Sequence, residues 1–284
     1  MESPCFLCYT KVYMCKEETD RKNGFIAVFD SGLGGLSVLH ALFKCMPKEQ
    51  YLYFGDSIHA PYGKKEPAEI ERLCVQNVEM LCERGAKCIV VACNTATSAA
   101  VPYLRKRWPE LPIIGMEPAV KPAAKSGTHP RVLVMATPVT IHGDRLRHLV
   151  QNYDEEADFM LLEAPEIVTY VEQGATDCHP TPELRAYLHR LLASYIPQHI
   201  DAVVLGCTHF PFVRGLIQEA IGYPVEVFDG AMGTAMQTRR RLAALSLLAD
   251  EQETSPQFKA GSILFLNSDA AKIELERNLY NELK

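Results

Sequence analysis

The chain has 284 residues, of which 48% are hydrophobic, and a formal net charge of -6 at pH 7. This size supports a core of one large domain or two small ones, and the scattered charges do not favour nucleic-acid binding. No apolar run is long enough to span a bilayer, and residues 1–23 lack the features of a secretory signal. We therefore expect a cytoplasmic protein that binds neither membranes nor nucleic acids.

The ten cysteines are expected to be reduced, because long cytoplasmic chains use thiols for packing or chemistry more often than for disulfides. Cys74, Cys82 and Cys88 lie among apolar residues and are interpreted as packing residues. Residues 5–8 form a single CxxC motif without a second pair at suitable spacing, so no zinc site is predicted. Residues 1–23 are predicted to be a flexible N-terminal extension.

From Gly24 onward, short apolar runs alternate with segments of helical periodicity. The apolar runs predict strands over residues 25–29, 51–54, 88–92, 113–115, 131–136, 159–162, 202–205 and 262–266. Helices are predicted over residues 36–44, 67–84, 96–107, 141–150, 167–172, 182–195, 212–221, 231–248 and 269–283, and a further helix opens at Pro118. This alternation is typical of parallel, doubly wound sheets.

The alternation starts again near residue 131, which indicates two units of similar construction. We predict an α/β fold of two similar doubly wound lobes with mainly parallel sheets and an active site in the cleft between them. Residues 24–117 plus 228–284 are predicted to form the first lobe, and residues 118–227 the second. Residues 225–228 lead back toward the first lobe, and residues 115–117 and 227–230 are the candidate hinges.

Four polar motifs follow predicted strands, at residues 30–32, 93–95, 137–140 and 207–209. Ligands of open parallel sheets bind beyond the carboxyl ends of the strands, so these motifs predict one common site. Cys93 and Cys207 each precede a helix, whose free N–H groups and partial positive charge favour a thiolate and can hold a carboxylate. Each sulfur alone is typical of buried packing. As a pair they indicate proton transfer between the two faces of a carbon.

Two polar residues beside the cysteines are further candidates. His209 is a candidate base or relay for Cys207, with a histidine that bonds to backbone at a helix start as the alternative. Asp30 ends a buried strand, where it either serves the chemistry or accepts N–H groups of the glycine turn after it. The sequence GLGG at residues 32–35 differs from the nucleotide-binding GxGxxG, and we interpret its glycines as allowing a tight turn and the close approach of a small ligand. The spacing of histidines and carboxylates predicts no metal site.

Four segments resemble motifs of the glutamate racemase family: FDSGLGGLS at residues 29–37, GDSIHAPYG at 55–63, VACNTA at 91–96 and GCTHFP at 206–211. They occur in the family's order, and the resemblance extends from about Gly24 to the C-terminus. It implies a cofactor-independent, two-base racemisation of glutamate, in which Cys93 deprotonates D-glutamate and Cys207 deprotonates L-glutamate. It also implies that the protein supplies D-glutamate for peptidoglycan and cell wall biogenesis.

The resemblance further implies that Asp30 assists Cys93 and that His209 assists Cys207. Glu172 matches the family's second-lobe glutamate, with Glu166 as the alternative. The implied substrate contacts are Asp30, Ser31, Pro61, Tyr62, Gly63, Asn94, Thr95, Thr137, Thr140, Thr208 and His209. Family members commonly form homodimers, and some with an N-terminal extension respond to a cell-wall precursor nucleotide, so a homodimer and such an effector are expected.

Three alternative functions stay open at this point. Aspartate racemase shares the fold and the paired cysteines, although the histidine after Cys207-Thr208 and the segment 61–63 favour glutamate. A thiol hydrolase with Cys207 as nucleophile and His209 as base would form a covalent acyl-enzyme and would not need Cys93. A non-catalytic amino-acid-binding protein would bind its ligand without exchanging the Cα proton.

Overall fold

The computed structural model describes residues 22–249 and 261–283, so the CxxC motif and nearly all of the predicted N-terminal extension lie outside the described residues. The strands are β1 (Phe25–Asp30), β2 (Tyr51–Gly55), β3 (Ala86–Val91), β4 (Ile113–Gly115), β5 (Arg131–Ala136), β6 (Asp158–Glu163), β7 (Ala202–Leu205), β8 (Glu226–Asp229) and β9 (Ile263–Asn267). The helices are α1 (Leu36–Cys45), α2 (Pro67–Glu83), α3 (Asn94–Arg107), α4 (Val120–Ala124), α5 (Pro138–His142), α6 (Asp144–Gln151), α7 (Pro165–Glu172), α8 (Pro182–Leu192), α9 (Arg214–Ile221), α10 (Ala231–Ala244) and α11 (Ile273–Glu282).

The strands form two sheets in which every pairing is parallel. The first sheet has the order β4-β3-β1-β2-β9 and the second has the order β6-β5-β7-β8. The predicted fold class, α/β with two parallel sheets, is confirmed. The segment 225–228 is predicted only as a return toward the first lobe, but residues 226–229 form the edge strand β8 beside β7. The chain then returns to the first sheet, where β9 pairs with β2. The residues at which one lobe passes into the other stay a prediction.

The core of the first sheet explains why its strands read as continuous apolar runs. Every residue of β1 and of β3 is buried, as expected when helices cover both faces of a parallel sheet. One apolar cluster runs from the first sheet to the second and includes Val28 of β1, Leu36 of α1, Met135 of β5 and Leu205 of β7. The hydrophobic packing that stabilises each sheet therefore also holds the two sheets against each other.

Two predicted helices differ from the observed ones for local reasons. The helix predicted over residues 141–150 is divided into α5 and α6, because the backbone at Gly143 is extended (ψ 138) and glycine has a low helix propensity. The helix predicted over residues 231–248 ends at Ala244. Ser246 adopts a φ of 55, and the chain reversal that follows places Leu247 in the core with 8% of its surface exposed.

The three cysteines interpreted as packing residues are buried or partly buried, and the two candidate hinge segments, whose role stays a prediction, lie close together. Cys74 and Cys88 are fully buried and Cys82 is partly buried, and all three are free thiols. The two candidate hinge segments lie side by side, since a Cβ built on Gly230 would lie 2.2 Å from the carbonyl oxygen of Glu117. A side chain at residue 230 would therefore push the two connections between the sheets apart.

A buried ion pair joins several segments at the amino end of β3. Nζ of Lys87 lies 2.7 Å from Oε2 of Glu49, and the two side chains are only 1% and 3% exposed. Glu49 Oε1 also accepts the N–H of Ala249 at 2.9 Å, and Lys87 donates to the carbonyl of Lys22 at 3.0 Å. Removing one partner of such a pair leaves an uncompensated buried charge, which is strongly destabilising.

We predict that Glu49→Gln lowers the free energy of unfolding by about 3 kcal/mol, because Lys87 stays buried without its counter-charge while Ala249 keeps an acceptor. Adding Lys87→Met is expected to recover most of this loss, since no buried charge then remains. Urea unfolding followed by circular dichroism measures both variants. Glu156→Gln is the control, because it breaks only the exposed ion pair with Lys125 and should cost less than about 0.5 kcal/mol. Equal losses in Glu49→Gln and the control would contradict the prediction.

Candidate active site

The candidate site lies where the loops after β1, β3, β5 and β7 come together. Asp30 ends β1, Cys93 follows β3, Thr137 follows β5 and Cys207 follows β7, and all four are buried. β1 and β3 are neighbours in the first sheet, and β5 and β7 are neighbours in the second. The four sequence motifs thus lie at the carboxyl ends of parallel strands, where open α/β sheets bind ligands.

Loops of the two sheets are joined by direct polar contacts across this region. The hydroxyls of Thr95, after β3, and Thr137, after β5, are 2.9 Å apart. Oγ of Ser37 on α1 donates to the carbonyl oxygen of Thr208 at 3.2 Å. The polar groups brought together here therefore come from both halves of the chain.

Cys93 is the N-cap residue of α3. Its Sγ lies 3.5 Å from the N–H of Ala96 and 3.5 Å from Oγ of Ser31. Burial, and then the negative charge of Asp30, raise the pKa of Cys93 to about 12, although the hydrogen bonds with Ser31 and Ala96 oppose the rise. The sulfur of Cys93 consequently holds its proton at neutral pH.

Cys207 belongs to a chain of contacts that continues through His209 to Glu172. Sγ of Cys207 lies 3.7 Å from Nδ1 of His209, and Nε2 of His209 lies 2.7 Å from Oε1 of Glu172. Burial lowers the pKa of His209, but its hydrogen bonds with Cys207 and Glu172 outweigh burial and raise the pKa well above its usual value. Burial raises the pKa of Glu172, but the contact with His209 outweighs it and the pKa is lowered. Glu172 and His209 are therefore a largely buried carboxylate–imidazolium pair beside the sulfur of Cys207.

Asp30 contacts both its own loop and the second half of the chain. Oδ2 accepts the N–H of Gly32 at 3.0 Å, and Oδ1 accepts the hydroxyl of Thr208 at 3.3 Å. Burial raises the pKa of Asp30, the charge of His209 lowers it and the charge of Glu172 raises it again, with a net rise. Asp30 thus accepts an N–H group of the glycine turn, as one of the two interpretations made from the sequence predicts, and its role in the chemistry stays a prediction.

The glycine loop after β1 lies directly against the carboxylate–imidazolium pair. A Cβ built on Gly32 would lie 2.0 Å from Oε1 of Glu172, and one on Gly34 would lie 2.4 Å from Nδ1 of His209. Between them the N–H of Leu33 donates to Oε1 of Glu172 at 2.7 Å. The glycine loop therefore approaches the side chains of Glu172 and His209 closely, and the predicted approach of a small ligand to this loop stays a prediction.

Asn94 and two threonines complete the polar lining of the site. Asn94 is buried, and neither polar atom of its side chain has a hydrogen-bond partner within the described ranges. Thr137, already paired with Thr95, also donates to Oγ1 of Thr140 at 3.2 Å. A buried amide without a protein partner is available to a ligand, since it has both donors and an acceptor to offer.

Residues 61–63 reach the same region from the loop after β2. A cis peptide bond joins Ala60 to Pro61, and a Cβ on Gly63 would lie 3.0 Å from Cβ of Thr137. Tyr62 is buried and donates its hydroxyl to Oδ2 of Asp56 at 2.6 Å, and burial raises the pKa of Tyr62. The sequence reasoning missed Asp56, although it follows a buried strand as Asp30 does. Substrate contacts of residues 61–63 stay a prediction.

Glu172 and its alternative, Glu166, have different surroundings. Glu166 accepts the hydroxyl of Tyr187 at 2.8 Å in an exposed position, whereas Glu172 contacts His209. Lys272, which the sequence reasoning also missed, donates to the carbonyl oxygen of Glu172 and lies 3.9 Å from its Oε2. The structure therefore brings Glu172 to the site and leaves Glu166 outside it.

No helix within residues 22–249 and 261–283 has the length and apolar character that crossing a bilayer requires. In those same ranges, no three or more His, Cys, Asp or Glu side chains are grouped as they would be to hold a metal ion.

Known proteins similar to this chain are racemases. The family model of Asp/Glu/hydantoin racemases matches residues 33–238. A glutamate racemase of Clostridium perfringens is 41% identical over 264 residues, which cover 92% of this chain and 98% of that protein.

Two solved structures extend the comparison to the fold. The structure of the glutamate racemase isoform RacE1 of Bacillus anthracis has a TM-score of 0.76 and 26% identity, with 92% of each chain covered. The Escherichia coli glutamate racemase, solved with L-glutamate and the activator UDP-MurNAc-Ala, has a TM-score of 0.72 and 28% identity, with 86% of this chain and 98% of that one covered. The family resemblance predicted from the sequence motifs is confirmed. This chain belongs to the Asp/Glu/hydantoin racemase family and, within it, to the glutamate racemases.

Proposed function

We propose that this protein interconverts L- and D-glutamate by a cofactor-independent, two-base proton transfer between Cys93 and Cys207. The observation that carries the proposal is the contrast between the surroundings of the two sulfurs. Cys93 has a raised pKa and holds its proton, whereas Cys207 lies 3.7 Å from a protonated His209. An acid and a base are the two groups that inversion at a carbon requires.

Substrate binding is proposed to use buried polar groups of the loops after β1, β3 and β7. Among them, the amide of Asn94 has no hydrogen-bond partner within the described residues. The N–H groups at the start of α3 and the amide of Asn94 suit a carboxylate of glutamate. The hydroxyls of Ser31, Thr95 and Thr208 add further hydrogen-bonding groups. The substrate ammonium is proposed to face Asp30, whose buried carboxylate it would stabilise.

The reaction from L- to D-glutamate is proposed to begin with Cys207 as thiolate and Cys93 as thiol. Cys207 removes the Cα proton, and Cys93 delivers its own proton to the opposite face. The sulfurs then carry reversed charges, which is the starting state for D-glutamate. The Cα–H bond is a very weak acid, so water exclusion, close positioning and the imidazolium of His209 have to stabilise the charge that develops.

Competing and associated roles follow from the same observations. Aspartate racemase is not favoured, because the full-length relatives described above are glutamate racemases. A thiol hydrolase would leave the protonated, buried Cys93 without a function.

The proposal also includes the biological setting of the enzyme. The protein is proposed to supply D-glutamate for peptidoglycan, to be cytoplasmic, to form a homodimer and to be controlled by a cell-wall precursor nucleotide. For the nucleotide, the support is the activator named in the Escherichia coli complex.

Replacing either cysteine is expected to lower racemisation by about 10²–10⁴-fold, because a serine hydroxyl is a far weaker acid than a thiol. Cys93→Ser and Cys207→Ser are compared in reduced form without added cofactor, using circular dichroism of L-glutamate. Cys178→Ser is the control, because that free cysteine is exposed, and it should retain full activity. Substantial activity in Cys93→Ser would contradict the two-base proposal. A wild-type enzyme that reacts faster with L-aspartate than with L-glutamate would show that aspartate is the substrate.

The ultraviolet absorbance of thiolates tests the proposed charges of the resting enzyme. At neutral pH, Cys207→Ser is expected to lose absorbance relative to the wild type. Cys93→Ser is expected to lose none, because burial keeps the pKa of Cys93 near 12. The loss in Cys93→Ser should emerge only in strongly alkaline buffer. Equal losses in the two variants at neutral pH would contradict the assignment of charges.

Glu172→Gln is expected to lower kcat/KM at least about tenfold, because His209 loses the carboxylate that favours its charged form beside Cys207. Glu172 raises the pKa of His209, so without its charge the alkaline limb of the pH–rate profile should move to lower pH. Glu166→Gln is the matched control, since it removes the charge of an exposed carboxylate whose hydrogen-bond partner is Tyr187 and not His209. Indistinguishable profiles for the two variants would show that Glu172 does not support His209.

A further inference from the structure

The C-terminal segment of the chain reaches the candidate site through Lys272. This lysine ends the helical turn Ala270–Lys272 that leads into α11. Its Nζ donates to the carbonyl oxygen of Glu172 and lies 3.9 Å from Oε2 of the same residue. The side chains of Lys272 and Glu172 are 28% and 13% exposed, so water screens this contact only in part.

Lys272 contacts the part of Glu172 that its other partners leave open. Oε1 of Glu172 already accepts the N–H of Leu33 and meets Nε2 of His209, both at 2.7 Å. Oε2 faces Lys272. Glu172 is also the last residue of α7, and the carbonyl groups at a helix C-terminus lack partners within the helix and attract cations. One ammonium thus contacts both the carboxylate and the end of the helix that carries it.

We propose that Lys272 is a positioning residue of the racemase, which holds Glu172 in the place and charge state that keep His209 protonated beside Cys207. This inference rests on the proposed function, because the Cys207 side of the reaction is what the chain of contacts serves. Lys272 itself has no role in binding glutamate.

The charged and titratable groups that face Glu172 come from several elements and are His209, Asp30, Tyr53, Lys272 and Glu276. Glu276 lies one turn after Lys272 on α11 and is fully buried, with Oε1 accepting the amide of Asn267 at 3.2 Å. Burial raises the pKa of Glu276 to about 8. At neutral pH Glu276 is therefore mainly uncharged, and Lys272 balances the charge of Glu172 without competition from it.

The direction of the effect follows from the charges. Lys272 helps to lower the pKa of Glu172, so its removal should raise that pKa and let Glu172 take up a proton at higher pH. A less ionised Glu172 supports His209 less, so the pKa of His209 should fall. The pH range in which the pair is fully charged then narrows from both sides.

Lys272→Met is expected to lower kcat about tenfold, because Glu172 is then held less well against His209. KM for L-glutamate is expected to change less than about twofold, because the lysine does not touch the substrate. The acidic and alkaline limbs of the pH–rate profile should each move inward by roughly half a pH unit. The shift is small because the charges of Lys272 and Glu172 are partly exposed, and such a contact is weaker than a buried one. Lys272→Arg should restore most of the activity. Lys125→Met is the control, since that lysine pairs with Glu156 at 3.8 Å on the exposed surface.

Lys272→Gln is made alongside and all variants are checked by thermal unfolding, so that a folding defect in Lys272→Met does not decide the result. Glutamine keeps a donor for the carbonyl of Glu172 without the charge, and the same inward shift of the limbs is expected. If the wild-type protein racemises glutamate and the folded Lys272 variants keep its kcat and pH profile, this inference is overturned and the proposed function is not. An effect confined to KM would also overturn it, and an inactive wild type would overturn the proposed function as well.

Discussion

The ion pair between Glu172 and His209 is the contact on which the geometry of the site depends. A charge buried without partners is costly, so this pair exists only because each group is held by further contacts. Leu33 donates to the carboxylate, and Gly32 and Gly34 leave room for the two side chains. The same contacts join the glycine loop after β1 to α7 and to the loop after β7. These contacts therefore fix the position of one sheet relative to the other and place a positive charge beside Cys207.

The two sulfurs have similar places in the two sheets but different electrostatic surroundings. Cys93 faces Asp30 and has a raised pKa, whereas Cys207 faces an imidazolium. The proposed two-base reaction needs one thiol and one thiolate at the start of each turnover, and two equivalent surroundings would not distinguish the two sulfurs. The asymmetry of the neighbours thus supports a reversible reaction at a site built from two similar halves.

Periodicity and strand-end position predicted much of this molecule, because both are local properties of the sequence. Buried parallel strands read as apolar runs, and Cys93 and Cys207 each stand two positions after the end of one of them. Contacts between distant residues have no such local signal. Glu172 lies 139 positions from Leu33 and was identified only by family resemblance, while Lys272, 100 positions from Glu172, was missed. The strand β8 was missed because it has only four residues, two of them acidic, and lies at a sheet edge.

The most direct test of the two-base account is to follow the Cα hydrogen in each enantiomer separately. Unlabelled L-glutamate is incubated with the reduced protein in deuterated water. In early samples the two enantiomers are separated by chiral chromatography, and the deuterium content of each is measured by mass spectrometry. Two bases on opposite faces predict that D-glutamate carries deuterium at Cα while the remaining L-glutamate does not. Deuterium that enters both enantiomers equally from the start, or D-glutamate that keeps the original hydrogen, would contradict transfer between Cys207 and Cys93.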